Sequence, residues 1–293
     1  MYELIRLTDR DYYIDCPAKI GLVRLNDTDV IAIDSGNDKD AAKKVLRHVD
    51  ENGWKLTAVY NTHSHADHIG GNRLLQERTG CPVYAADMEA VYTANPILEP
   101  MTLYGGYPFG DLKHKFLLAQ DSRVTPLTAD CLPQGMEMIP LPGHSFAMVG
   151  FRTPDDTVYL GDCISSEETL TKYGIGYLWD VAAALDTLDR VESMTAARFV
   201  PAHAPVCTDI AAPAQRNRDA IRQVAETIVN LCRTPIPFEG LLAKLFAAYG
   251  MTMNAAQYAL IGSTVRSYLA YLHGQGALTF TFEDNRMLWA TAQ

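Results

Sequence analysis

The chain has 293 residues, 48% of them hydrophobic, which is enough for one large domain with an appendage or for two domains. With 35 acidic against 25 basic residues the net charge is -10, which repels phosphate backbones and anionic lipid, so no nucleic acid and no membrane are expected as partners. No run approaches the roughly 20 apolar residues of a bilayer span, and MYELIRLTDRDYYID is charged where a signal peptide is apolar, so a cytoplasmic location is expected.

In chain order, β-rich runs are predicted as strands at Gly21 to Leu25, Val30 to Asp34, Thr57 to Asn61 and Pro82 to Ala86. Four more follow at Met136 to Leu141, Met148 to Thr153, Thr157 to Gly161 and Arg198 to Ala202. Helices are predicted over Lys39 to Glu51, Ile69 to Thr79 with Gly80 as C-terminal cap, and Ala182 to Met194. This is an α/β layout with many strands. The stretch from Tyr92 to Gln134, with Gly105, Gly106, several prolines and little period, reads as a long irregular insert of the kind that is more often functional than idle. The sequence loosens at Ala211 to Ala214, and a boundary near residue 212 divides a domain over 1–212 from a C-terminal one over 213–293. In the latter, helices are expected at Asn217 to Cys232, Phe238 to Tyr249 and Asn254 to Gly274. A hairpin turning about Glu283, Asp284 and Asn285 follows, giving a small helical, winged-helix-like unit. The six cysteines (Cys16, Cys81, Cys131, Cys163, Cys207 and Cys232) form no CxxC pair, so neither a disulfide framework nor a zinc knuckle is indicated.

The chemistry concentrates in Thr62-His63-Ser64-His65-Ala66-Asp67-His68-Ile69-Gly70-Gly71, between a predicted strand and a predicted helix. Residues two apart in extended chain point the same way, so His63 and His65 can reach one ion together. Asp67 and His68 stand where the chain turns into the helix and can be aimed at a second ion. Imidazole nitrogen and carboxylate oxygen suit zinc, and two ions about 3.5 to 4 Å apart need some seven protein ligands. Only eight histidines occur in the chain, and three fall within these six positions. A solvated loop would not concentrate them so. His144 in a Pro-Gly turn, and Asp162 and His203 at strand ends, complete a candidate set at the strand termini where α/β proteins gather active-site groups. Taken singly, each would more often be structural.

The ordered set resembles the metallo-β-lactamase fold superfamily over about residues 1 to 210. His63, His65, Asp67 and His68 match the HxHxDH pattern, and His144, Asp162 and His203 match the later ligands. The resemblance implies a four-layered αββα sandwich with a dinuclear metal site. His63, His65 and His144 would hold one ion, Asp67, His68 and His203 the other, and Asp162 would bridge them. It also implies a hydroxide between the ions as nucleophile, Asp67 as the catalytic group that orients it, and Asp34 in VIAIDSG as a support behind the ligands.

Departures narrow the branch. The di-iron flavoprotein relatives carry a glutamate where His65 stands and a flavodoxin domain, so zinc hydrolysis is favoured over oxygen chemistry. True β-lactamases of the fold generally lack the bridging aspartate, lactonases place a tyrosine where Ser165 stands, and the transfer-RNA nucleases have a basic surface and an exosite arm. The expectation is a glyoxalase II-like hydrolase with two zinc ions, iron or manganese being compatible with the same ligands, acting on a small ester, thioester or phosphoester. An iron-dependent thiol or persulfide oxidising enzyme is the enzymatic alternative, and a metal-dependent DNA-binding regulator the alternative of another class. Against the latter, the segment from Ala212 carries only seven basic against five acidic side chains. Its last helix reads instead as packing surface that closes the cleft or makes a homodimer contact. Tyr104 and Tyr107 of the insert, and Tyr173, Tyr177 and Trp179 of TKYGIGYLWD, are candidates to line a pocket for a small-molecule substrate, and ordinary aromatic packing explains them as well.

Overall fold

Four short strands open the chain as an antiparallel meander: β1 (Glu3–Arg6), β2 (Asp11–Asp15), β3 (Ile20–Arg24) and β4 (Asp29–Ile33). From there the connections become crossovers through helices. Helix α1 (Lys39–Glu51) leads to β5 (Lys55–Tyr60), α2 (Ala66–Ile69) and α3 (Asn72–Thr79) to β6 (Val83–Ala85), and α4 (Asp87–Ala94) and α5 (Leu98–Tyr104) to β7 (Val124–Pro126). In this computed structural model, which describes residues 2–292, β4 to β7 lie parallel and complete a seven-stranded sheet in sequence order. A second sheet has the order β11-β10-β9-β8, from β8 (Glu137–Pro140), β9 (Val149–Arg152), β10 (Thr157–Ser165) and β11 (Arg198–His203). Between β10 and β11 lie α6 (Glu167–Tyr173) and α7 (Val181–Glu192).

The layers follow from which faces are apolar. Val23, Ile31, Tyr60, Phe151, Tyr159 and Val200 fill the space between the sheets. On the outer face of the first sheet, Ala42, Val45 and Val49 of α1 and Leu75 of α3 pack over Ile14, Leu22 and Val59. On the outer face of the second, Leu188 and Val191 of α7 cover Val158, Leu160 and Phe199. Each fully buried aliphatic of this kind contributes roughly 1.5 to 3 kcal/mol. The arrangement is the expected four-layered αββα sandwich. Helix α1 occupies the expected residues, with Asp38 as N-cap accepting from the amides of Asp40 and Ala41.

Three strands of the first sheet escape the sequence reading. β1 is a sheet edge whose side chains are half exposed, so it shows no buried face to alternate. β2 opens on Asp11, a fully buried carboxylate that accepts from Thr153 Oγ1 at 2.7 Å and that looks in sequence like a surface residue. β7 is three residues long and ends in a proline, as an edge tolerates. The insert is more regular than expected, because α4 and α5 occupy its first part. The helix expected over Ile69 to Thr79 is two helices, broken at Gly70 and Gly71. A Cβ on Gly70 would stand 2.0 Å from the Asn37 carbonyl oxygen, and one on Gly71 2.3 Å from that of Ser35. The loop after β4 therefore presses directly on this break.

The loosened AAPA stretch is the first turn of the 21-residue helix α8 (Ala211–Leu231), where the missing amide of Pro213 needs no partner. Ala214 near its start belongs to the core of the second sheet, while Val224 and Ile228 belong to a separate C-terminal core. That core contains Leu241 and Leu245 of α9 (Phe238–Ala248) and Val265 and Leu269 of α10 (Ala255–Gly274). Beside it β12 (Ile236–Pro237), β13 (Leu278–Glu283) and β14 (Arg286–Thr291) form a sheet of order β12-β14-β13. The expected hairpin turns at Asp284 and Asn285, both left-handed at φ 47° and 60°, as a two-residue type I′ connection requires. Among the described residues no helix is long and apolar enough to cross a membrane.

Candidate metal centre

Strand β5 lies parallel to β4, so the residues that follow both strands meet at one edge of the sandwich. Asp34, directly after β4, sits in the left-handed region at φ 65°, and its carboxylate is 3% exposed. Its Oδ1 accepts from the Thr62 amide at 2.8 Å, and its Oδ2 accepts from Thr62 Oγ1 and from His68 Nδ1, each at 2.8 Å. Because the Nδ1 hydrogen is committed to Asp34, the Nε2 edge of His68 is turned inward. Thr62 Oγ1 lies 3.0 Å from His63 Nδ1, and since its proton goes to Asp34 it is the acceptor there, which likewise leaves His63 Nε2 free to face inward.

Two groups of ligating atoms result, one from His63, His65 and His144 and one from Asp67, His68, Asp162 and His203. In the first, His65 Nδ1 is 3.1 Å from His63 Nε2 and 3.0 Å from His144 Nε2. In the second, His203 Nε2 is 3.3 Å from Asp67 Oδ2, and His68 Nε2 is 3.1 Å from Asp162 Oδ1. Asp162 belongs to both, since its Oδ2 lies 3.2 Å from His203 Nε2, 3.4 Å from His144 Nε2 and 3.9 Å from His63 Nε2. All seven sequence-predicted ligands, and Asp34 behind them, are brought together. Local backbone explains two of the late three. Gly143 at φ 123° would place a Cβ 2.3 Å from the Ala184 amide, so only glycine lets the His144 loop approach α7. The β10–β11 pairing loses register at Gly161 (φ 55°), a bulge directly before Asp162.

Burial and neighbours set opposite charges in the two groups. Burial, reinforced by His68 and His65, lowers His63 well below its ordinary pKa, and burial lowers His65 and His144 to about 4 against the opposing pull of nearby carboxylates, Asp162 at both and Asp67 at His65. These rings are neutral and offer lone pairs. Burial opposes the charged form of His68 and His203 as well, but Asp162 and Asp67 outweigh it, raising His68 well above its ordinary value and His203 to about 10. Conversely, burial would raise Asp162 and Asp67, and the two imidazoles outweigh it and hold both carboxylates below their usual range.

The donor set fits a pair of divalent cations. Buried imidazole and carboxylate are the groups such ions take, and nitrogen atoms about 3 Å apart can share one ion at zinc–nitrogen distances near 2 Å. His68 Nε2 and Asp162 Oδ1 are buried 3.1 Å apart without hydrogen-bond geometry, a costly arrangement that a cation displacing the ring's proton and taking a lone pair from each would relieve.

One support for the site went unread in the sequence. Glu89 of α4, fully buried, accepts from Ser64 N and Oγ with Oε2 at 2.9 and 2.6 Å, and from Ser145 Oγ and Ala147 N with Oε1 at 2.6 and 2.9 Å. It thereby ties the first histidine loop to the His144 loop. The only signal was an acidic residue within an apolar run, and that is indistinguishable from an exposed helix position.

The site floors a cleft of about 770 Å³ whose wall includes Lys115, Lys172, Tyr173 and Tyr177, with Gln257, Leu260 and Ile261 contributed by α10. Tyr177 stands edge-on to His65 and His144, with ring centroids 5.2 and 5.6 Å away. Tyr173 lines the cleft near its mouth and is half exposed. Tyr104 does not line it: left-handed Gly105 ends α5, and the Tyr104 ring meets Phe109 edge-on at 5.4 Å instead. Trp179 packs on Phe146, and Tyr107 is 72% exposed. All six cysteines are unpaired. Burial and the adjacent Asp162 push the thiol of Cys163 up, which keeps it protonated and inert.

Residues 13–203 match the sequence profile of the metallo-beta-lactamase superfamily. A hydroxyacylglutathione hydrolase of Methylococcus capsulatus is 30% identical over 149 residues, 50% of this chain and 46% of that protein. One of Rhizobium etli is 26% identical over 141 residues, 48% of this chain and 44% of that protein. The chain thus spans about half the length of the curated relatives it matches. Among solved structures, a beta-lactamase domain protein from Burkholderia ambifaria superposes with a TM-score of 0.76 at 16% identity, covering 99% of this chain and 94% of that one. A metallo-beta-lactamase family protein from Thermus thermophilus gives 0.72 at 15% identity, covering 98% and 97%. At these identities the superpositions speak for the fold, including its C-terminal part. The motif, the sandwich and the profile agree, and the chain belongs to the metallo-beta-lactamase superfamily.

Proposed function

We propose that the protein is a dinuclear, zinc-dependent hydrolase of a small ester or thioester. The observation that carries this reading is Asp162, whose Oδ2 stands within 3.4 Å of ring nitrogens from both groups and so would be shared by two cations. His63, His65 and His144 would hold one, and Asp67, His68 and His203 the other. Bound there, the cations would supply Lewis acidity towards the scissile carbonyl and a water of lowered pKa.

The chain's own residues do the remainder. Asp34 and Thr62 fix the rings of His68 and His63 so that one nitrogen of each faces the centre, and Glu89 fixes the loops that carry His65 and His144. Asp67, 36% exposed at its side chain, reaches the solvent side of the centre and is placed to orient an attacking water and accept its proton. Tyr177 and the α10 residues exclude bulk water from one flank. The C-terminal segment follows the order helix, strand, helix, helix, strand, strand of a winged helix, and its role here is to wall the cleft. A phosphoester would suit the same centre, but the hydroxyacylglutathione hydrolases among the relatives favour the thioester.

Elemental analysis of protein grown with supplemented metals, paired with a screen of thioester, lactone and phosphodiester substrates, tests this. About two zinc per chain with turnover of one class supports it. Iron with oxygen uptake and no hydrolysis would overturn it in favour of an oxidising enzyme.

A further inference from the structure

Beside the large cleft lies a second, smaller cavity of about 100 Å³ between β10, α6, α7, α8 and α10. The two share His144, Asp162, Ser165, Leu170, Gly176 and Tyr177 as lining, so both diverge from the same metal centre. The walls of the small one beyond the centre are mostly aliphatic: Leu178, Leu188, Ala220, Ile221 and Val224. Two of its polar wall side chains are paired within the protein. Asn217 accepts from the Ser165 amide and donates to the carbonyls of Ser165 and Pro213, each at 2.9 Å, and Thr187 donates to the Pro142 carbonyl at 2.7 Å. Beyond the centre the Tyr268 and Ser165 hydroxyls are the polar exceptions in a mostly aliphatic wall, and one end of it is the reacting centre.

We infer that this pocket takes a short, unbranched apolar arm of the scissile ester or thioester, while the larger cleft takes the other, bulkier arm. The inference rests on the hydrolytic reading above and names the substrate class of that site. A cavity of about 150 Å³ admits benzene, so this one has room for about four carbon atoms. Each methylene that fits gains roughly fourfold in kcat/KM, and the gain stops when the pocket is full.

The test uses the metal-loaded full chain with two series of thioesters: straight acyl chains from acetyl to octanoyl on one thiol, and straight alkyl thiols on acetate. Binding of the free carboxylates from acetate to octanoate is followed by calorimetry alongside. A rise to about four carbons on one of the two arms, with a plateau or fall beyond, is expected and tells which arm enters the pocket. Ala220→Leu should move the optimum about two carbons shorter and Leu170→Ala should move it longer, both in turnover and in carboxylate affinity. A flat response on both arms with normal turnover overturns the pocket alone. Chain-length-dependent carboxylate binding without turnover of any ester keeps the pocket and overturns the hydrolytic reading.

Discussion

The two halves of the centre use the same residue type at similar depth and give it opposite charge. His63 and His144 have a single carboxylate, Asp162, within 4 Å, and burial leaves these rings and His65 neutral, His65 and His144 titrating near 4. His68 and His203 both meet Asp162 and Asp67, with Asp34 added at His68, and these carboxylates outweigh burial, raising His68 well above its ordinary value and His203 to about 10. The lesson is that imidazole count does not describe a metal site, because what decides a ring's readiness is the number of carboxylates within a few ångströms. The first half presents lone pairs directly, whereas cation binding in the second must expel protons held by ion pairs.

The largest blow to this division falls on the group that belongs to both halves. Asp162→Ala removes the shared carboxylate and should lower turnover by about 10³-fold or more, since each bound cation supplies several kcal/mol of charge stabilisation. The fold should survive by circular dichroism, and elemental analysis should show loss of metal from the second half. Retention of two metals by the variant would remove the shared role.

Next comes Glu89, which supports the first half alone. Glu89→Ala strands the amides of Ser64 and Ala147 and two serine hydroxyls in a buried place, and should cost roughly 3 kcal/mol of stability. At about 2 to 4 °C per kcal/mol for a chain this long, the melting temperature should fall by roughly 10 °C. If calorimetry shows no shift, the tie between the two loops contributes nothing.

How much of this was open to a reader of the sequence depended on range. The HxHxDH stretch is local: four ligands in six residues with their strand and helix start, so spacing alone placed them. The α/β layout was legible because most of its strands carry continuous apolar runs and α1 carries its own cap and face, whereas the sandwich was implied only by the resemblance the motif carries. Glu89 and the buried Asp11 were not legible, since a carboxylate's burial is decided by partners 25 to 142 residues away. The break in the helix at Gly70 and Gly71 was hidden for the same reason, because the chain that presses on it belongs to another loop. Tyr104 misled because an aromatic beside a glycine turn has no periodicity to tell inward from outward.

Asp34→Asn sharpens the comparison further. Asparagine tolerates the left-handed backbone at φ 65°, so the substitution removes charge without straining the turn. His68 loses the carboxylate that fixes its Nδ1 hydrogen, and metal affinity should fall by roughly 10- to 100-fold in the second half, with a smaller loss in the first. Competition with a chromogenic chelator, read as two separate sites, checks this. Equal weakening of both sites would show that the halves are not independent.

The smallest expected effect tests that independence most directly. Thr62 Oγ1 donates to Asp34 and accepts from His63, so a single hydroxyl touches the positioning of both halves. Thr62→Val keeps the shape and deletes the link. Burial continues to hold His63 neutral, so only its orientation is loosened, and the first site should weaken by about tenfold or less, the low end for groups behind metal ligands. Combined with Asp34→Asn, the two losses should add if the halves are separate and fall short of additivity if the hydroxyl transmits between them. Because Asp34 and Thr62 are in direct contact at 2.8 Å, a shortfall is the expected result. Strict additivity in both metal affinities would show that each half is positioned by its own loop alone.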